Sequence, residues 1–164
     1  MSETLETKLK ALLAKKSVVL LGVGNPDRGD DGFGSLLARQ IGSRAGLKSI
    51  VCEDVPENYT GVVRQYEPET IILADAIEIG SEPGDVVLLD AKSLTDDRFS
   101  SHKPSLKLLM DYLAMETGAD TYLLGVQPGR VDYCNRISKE VKETLDYLKR
   151  TITELSQTAG EGDY

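Results

Sequence analysis

Leu5, Leu9, Leu12 and Leu13 recur at helical spacing among Lys and Glu, which predicts a short amphipathic helix over 3–15. The period then changes. "SVVLLGV" (17–23) is an apolar, β-branched run stopped by glycine, the pattern of a strand covered on both faces. After a glycine-rich turn, Leu36, Leu37 and Ile41 mark a helix over about 34–44. "SIVCE" predicts a second strand, "ENYTGVVRQY" a polar helix introduced after Pro56, and "TIILADA" (70–76) a third strand apolar on both faces. "SEPGD" supplies turn chemistry before a fourth strand, "DVVLLDA", and the short gap after the third strand leaves room for a hairpin and an antiparallel edge. Pro104 opens a helix with Leu106, Leu109, Met110 and Leu113 on one side, closed by Gly118. "DTYLLGV" (120–126) is the last strand, and Val141, Leu145, Leu148, Ile152 and Leu155 mark a long final helix.

Five strands interleaved with helices predict an α/β fold: a three-layer sandwich around a mostly parallel, five-stranded twisted sheet flanked by helices. One domain spans 1–164, with an accessory helix over 1–16, an α/β core over 17–155 and a flexible, polar tail over 156–164.

Composition narrows the partners. The chain has 164 residues, 40% of them apolar, enough for one sizeable core. Lys and Arg total 19 against 27 Asp and Glu, a net charge of −8 that argues against nucleic acid and anionic membrane surfaces and favours a cation or a basic peptide. The first residues, "MSETLETKLKALLAKK", lack a secretory apolar core, and no segment reaches the roughly 18 apolar residues of a membrane span. A soluble, cytoplasmic protein is expected. Cys52 and Cys134, the only cysteines, build neither a disulfide framework nor a four-cysteine zinc site and read as ordinary buried or half-buried thiols.

The candidate chemistry lies in "LLGVGNPDRGDDGFG" (20–34). Strand, glycine-rich turn and helix is the layout of a phosphate site, but the third glycine of G-x-G-x-x-G falls on Asp27 and no G-K-[ST] is present. Three aspartates, 27, 30 and 31, oppose Arg28 alone, and a carboxylate ~4 Å from a phosphate costs about 1 kcal/mol even in water. Carboxylates on a permissive turn suit a divalent cation better. The alternative is that these aspartates cap the following helix, and for Asp30 that is the preferred reading. In an open α/β sheet the loops beyond the strands' carboxyl ends gather at one edge. Asp31 after the first strand, Asp75 at the end of the third and His102, the sole histidine, after the fourth therefore form a candidate three-ligand metal site. A cap or turn for Asp75 and a solvated loop position for His102 are the alternatives.

"GVGNPDRGDDGFG" also resembles the N-terminal signature of the nickel-iron hydrogenase maturation endopeptidases. "VPENY" (55–59), "ILADA" (72–76), "PGDVVLLD" (83–90), "SSHKPSL" (100–106) and "LLGVQP" (123–128) resemble further family segments in the family's order, so the likeness covers 17 to about 150. It implies an α/β fold and a metal-dependent cleavage that removes a C-terminal extension from the hydrogenase large-subunit precursor once nickel is in place. Three family metal ligands fall on Asp31, Asp75 and His102, and "DDG" resembles the branch serving formate-hydrogenlyase-type hydrogenases. One segment departs from the pattern. Many relatives carry a glycine shortly before P-E-N, whereas this chain has Cys52, Glu53 and Asp54, which bears on the substrate-docking loop and not on the metal trio.

The chemistry fits those residue types. Two carboxylates and an imidazole leave coordination positions open, so nickel held by precursor cysteines can be shared, sensed, and used to polarise the scissile amide or activate a water. No H-E-x-x-H is present, and serine or cysteine catalysis would need the sole histidine as base. The resulting expectation is a nickel-dependent maturation endopeptidase, a cytoplasmic monomer whose nickel arrives with the large-subunit precursor. The alternatives are a divalent-metal hydrolase of another small substrate and a non-catalytic, metal-sensing docking module. The glycines of the signature are read as turn geometry and close packing, and Asn25 as a bond within its own turn or a contact to the precursor.

Overall fold

A computed structural model of the chain describes residues 4–95, 104–131 and 136–161. Thr4 caps the first helix, α1 (Leu5–Leu13), by accepting from the Thr7 N–H at 3.1 Å. The core strands are β1 (Val18–Val23), β2 (Leu47–Glu53), β3 (Thr70–Ala76), β4 (Val86–Asp90) and β5 (Asp120–Val126). Between them run α2 (Phe33–Ile41), α3 (Thr60–Gln65) and α4 (Pro104–Thr117), and α5 (Lys139–Glu161) closes the fold. α5 runs on to Glu161, through part of the segment expected as tail, and Ser156 Oγ donates to the Ile152 carbonyl within it.

The strands form one sheet in the order β2-β1-β3-β5-β4, parallel except for the β4–β5 pair. The antiparallel edge expected from the short β3–β4 gap is present, but β4 pairs with β5 and not with β3 as a hairpin. β3 already has β1 on one side and β5 on the other, so the connection must step past β5. Buried Gln127 holds that connection: its Oε1 accepts from the Ile79 and Ser81 N–H groups, and its Nε2 donates to Glu78.

Side chains alternate between two apolar layers, as a pleated sheet requires. Val18 and Leu20 of β1, with Ile72 and Ala74 of β3, pack beneath α1, α2 and α5. Val19, Leu21, Ile71 and Leu73 face α3 and α4 on the other side. α1 contributes Leu9, Leu12 and Leu13 to the first layer, so the helix expected as an accessory is part of the core.

Cys52 is buried in the second layer and unpaired, and Cys134 lies outside the described residues. Loss of water around the thiol, with the Glu57 carboxylate as a smaller contribution, pushes its pKa up to about 12. Two outcomes follow. A Cys134→Ser variant should resist iodoacetamide at pH 8 until it is unfolded, as read by mass. Because the folded pKa lies above the unfolded one, the thiol's contribution to stability is complete below the unfolded value near 9 and is lost as pH rises toward 12.

Candidate active site

The chain leaves β1, forms β2 on one side of it, and returns to place β3 on the other. Between the carboxyl ends of β1 and β3 the sheet order reverses, the position where open α/β sheets place ligands. Asp31 follows β1 on a tight helical turn, Gly29–Gly32, and Asp75 ends β3 opposite Gly125 of β5. Two close approaches draw them together. A Cβ at Gly34 would overlap the Ala74 and Val23 carbonyl oxygens, so only glycine lets the first turn of α2 press onto these strand ends. At Gly24, with φ +125°, a Cβ would overlap the Asp31 carbonyl oxygen and stand 3.5 Å from Asp75 Oδ1. At that glycine the turn that carries Asp31 and the strand end that carries Asp75 come together.

Asp75 is fully buried, whereas Asp31 is partly exposed and accepts from the Asn25 N–H at 3.0 Å. Asn25 in turn accepts from the Asp27 N–H at 2.9 Å through its Oδ1, a bond inside its own turn. A carboxylate at each of two neighbouring strand ends is hard oxygen chemistry of the kind that suits a divalent cation.

His102 lies outside the described residues, and among the described residues no three His, Cys, Asp or Glu side chains group as a metal site. The end of β4, the strand before His102, does not lie at the edge where β1 and β3 end. β4 runs antiparallel to β5 and finishes at Asp90, opposite Tyr122 near the start of β5, at the amino-terminal end of the parallel strands. The connection with a bearing on the site is at the other end of α4. That helix finishes at Thr117, just before β5 starts at Asp120, so its Pro104 end returns to the carboxyl edge, where Leu106 faces Asp54 and Pro56.

Asp30 departs from its expected role. Arg28 and Gly32 occupy the cap positions of the tight turn and of α2, and neither provides a side-chain cap. The Asp30 carboxylate is fully buried and accepts from the Gly129 N–H (2.8 Å), the Arg130 N–H (2.7 Å), the Ser138 N–H (2.6 Å) and Ser138 Oγ (2.8 Å). Its own N–H donates to the Arg130 carbonyl at 2.6 Å. Asp30 therefore ties the loop after β5 to the turn that carries Asp31. Asp27, by contrast, is exposed.

The departure before P-E-N also has a structural form. Glu53 adopts φ +51°, the left-handed conformation glycine takes without strain, while its carbonyl accepts the Gly24 N–H at 2.7 Å. Relief of about 1–2 kcal/mol of strain outweighs the added freedom of the unfolded chain, so Glu53→Gly should raise stability by about 0.5–1 kcal/mol in urea titration.

The family model of the HycI hydrogenase maturation proteases matches residues 54–155. The chain belongs to the hydrogenase maturation protease family. Members of this family are endopeptidases that remove a C-terminal extension from the hydrogenase large subunit. The hydrogenase 3 maturation protease of Escherichia coli is 29% identical over 137 residues, covering 82% of this chain and 87% of that protein. The crystal structure of the maturation protease HycI from Thermococcus kodakarensis superposes with a TM-score of 0.84 at 29% identity, over 92% of this chain and 99% of that one. The solution structure of Escherichia coli HycI gives 0.72 at 25% identity, over 84% and 90%. Among the described residues of this maturation protease, no helix is long and apolar enough to cross a membrane.

Proposed function

We propose that this maturation protease reads nickel in the large-subunit precursor through Asp31, Asp75 and His102, and cuts off the C-terminal extension only when nickel is in place. The observation that carries this reading is the meeting of the Asp31 turn and the Asp75 strand end at Gly24, at the switch point of the sheet. The donor set suits a shared cation: two hard carboxylates with an imidazole leave room for the thiolates that already hold the metal in the precursor. Nickel held there would supply Lewis acidity, to polarise the scissile amide or to activate a water.

The chain's own groups provide position. Buried Asp75 is fixed by the β3–β5 ladder, and Asp31 is oriented by the Asn25 N–H, so the carboxylates meet the cation with little rearrangement. The enzyme acts as a cytoplasmic monomer and carries no resident metal.

Co-expression of a nickel-loaded precursor with and without this protein, read by intact mass, tests the assignment. Loss of the extension only in its presence is expected; an unchanged mass in both cases would leave a docking module and overturn the protease reading. Tight, stoichiometric nickel binding by the purified protein without precursor would instead indicate a self-contained metal hydrolase.

A further inference from the structure

A groove of about 690 Å³ runs between the Pro56 turn and α4. Leu106, Leu109 and Tyr112 give it an apolar wall, and Asp54 and Glu57, both exposed, stand on its opposite side. Along α4 the apolar surface continues outward. Leu108 is 73% exposed, Met115 75% and Tyr112 37%, and their spacing of four and three residues sets them on one helix face. Contiguous apolar surface of this kind, rimmed by charge, marks a contact site in soluble proteins.

The electrostatics select the partner. The cations on α3 and α4 are engaged elsewhere, Arg64 with Glu116 at 3.2 Å and Lys107 with Asp111 at 2.7 Å. Asp54 and Glu57 thus present negative charge to the groove, in a chain whose net charge is −8. The groove is tied to the site through the chain: Asp54 lines it and follows Glu53, whose carbonyl accepts the N–H of Gly24, the glycine packed against the Asp31 carbonyl and near Asp75 Oδ1.

We propose that this groove docks a segment of the large-subunit precursor that sets apolar side chains against Leu106, Leu109 and Tyr112, and Lys or Arg beside Asp54 and Glu57. The proposal rests on the protease reading. A bound segment of this kind adds affinity before the scissile bond reaches the aspartates, so it acts on KM and leaves the chemical step alone.

Cleavage kinetics on nickel-loaded precursor test it with two double variants at exposed positions, Asp54→Lys with Glu57→Lys, and Leu108→Ser with Met115→Ser. Each should raise KM tenfold or more at unchanged kcat, with thermal melting as in the parent. Added salt should raise the KM of the parent and leave that of the charge-reversed variant nearly constant. Unchanged KM in both variants, with the parent cleaving normally, overturns the docking site and spares the protease assignment; a parent that fails to cleave overturns the assignment itself. A rise confined to the apolar variant removes the basic segment from the proposal. A dimer of the parent that dissociates in Leu108→Ser with Met115→Ser assigns the face to a second copy and overturns precursor docking.

Discussion

Asp75→Asn is expected to leave the precursor at its full mass, with processing reduced on the order of a thousandfold or more, the scale seen when one member of a catalytic unit is removed. The substitution keeps the shape of the side chain but exchanges the charged oxygen proposed as a ligand for a neutral amide, which would lower its attraction for a divalent cation. Asp75 is fully buried near the end of a strand whose register with Gly125 fixes its backbone position. Asp31→Asn should act in the same direction. His102→Ala should also abolish cleavage while leaving the fold intact, as checked by circular dichroism. Normal processing by His102→Ala would remove the imidazole from the mechanism and leave a two-carboxylate site.

The second large effect is on stability. Asp30→Ala should cost about 3–5 kcal/mol in urea unfolding, because the buried carboxylate answers three backbone N–H groups and a hydroxyl, and bonds to a charged acceptor contribute about 1.5–3 kcal/mol each. Exposure of Gly129 and Arg130 lets water recover part of that loss. Asp30→Asn should be intermediate, since the amide turns a donor toward groups that are themselves donors. Asp27→Ala, on the exposed part of the same turn, should change stability by less than about 0.5 kcal/mol. Equal effects at 27 and 30 would contradict the latch.

Much of this molecule is written in local patterns. β1, β3 and β5 are legible because apolar, β-branched runs closed by turn residues have few other uses, and the helical spacing of Leu106, Met110 and Leu113 marks the buried side of α4. The pairing of β4 is not local: it depends on β5, more than thirty residues downstream, filling the free edge of β3. The site divides in the same way. Asp75 stands out as a carboxylate at the end of an apolar run, and Asp31 as one charge too many for a phosphate turn. Asp30 carries no such signal, since its partners at Gly129, Arg130 and Ser138 lie about a hundred residues away, and an aspartate before a helix looks like a cap. The left-handed Glu53 is legible only as a missing glycine.

Nickel sensing by the protease comes down to one comparison. The direct test is the mass of purified precursor, nickel-loaded or nickel-free, incubated with the purified protein and with its Asp75→Asn variant. Loss of the C-terminal extension only from the nickel-loaded precursor, and only with the parent protein, is the predicted result. Cleavage of the nickel-free precursor would contradict nickel sensing, and cleavage by the Asp75→Asn variant would contradict the role of Asp75.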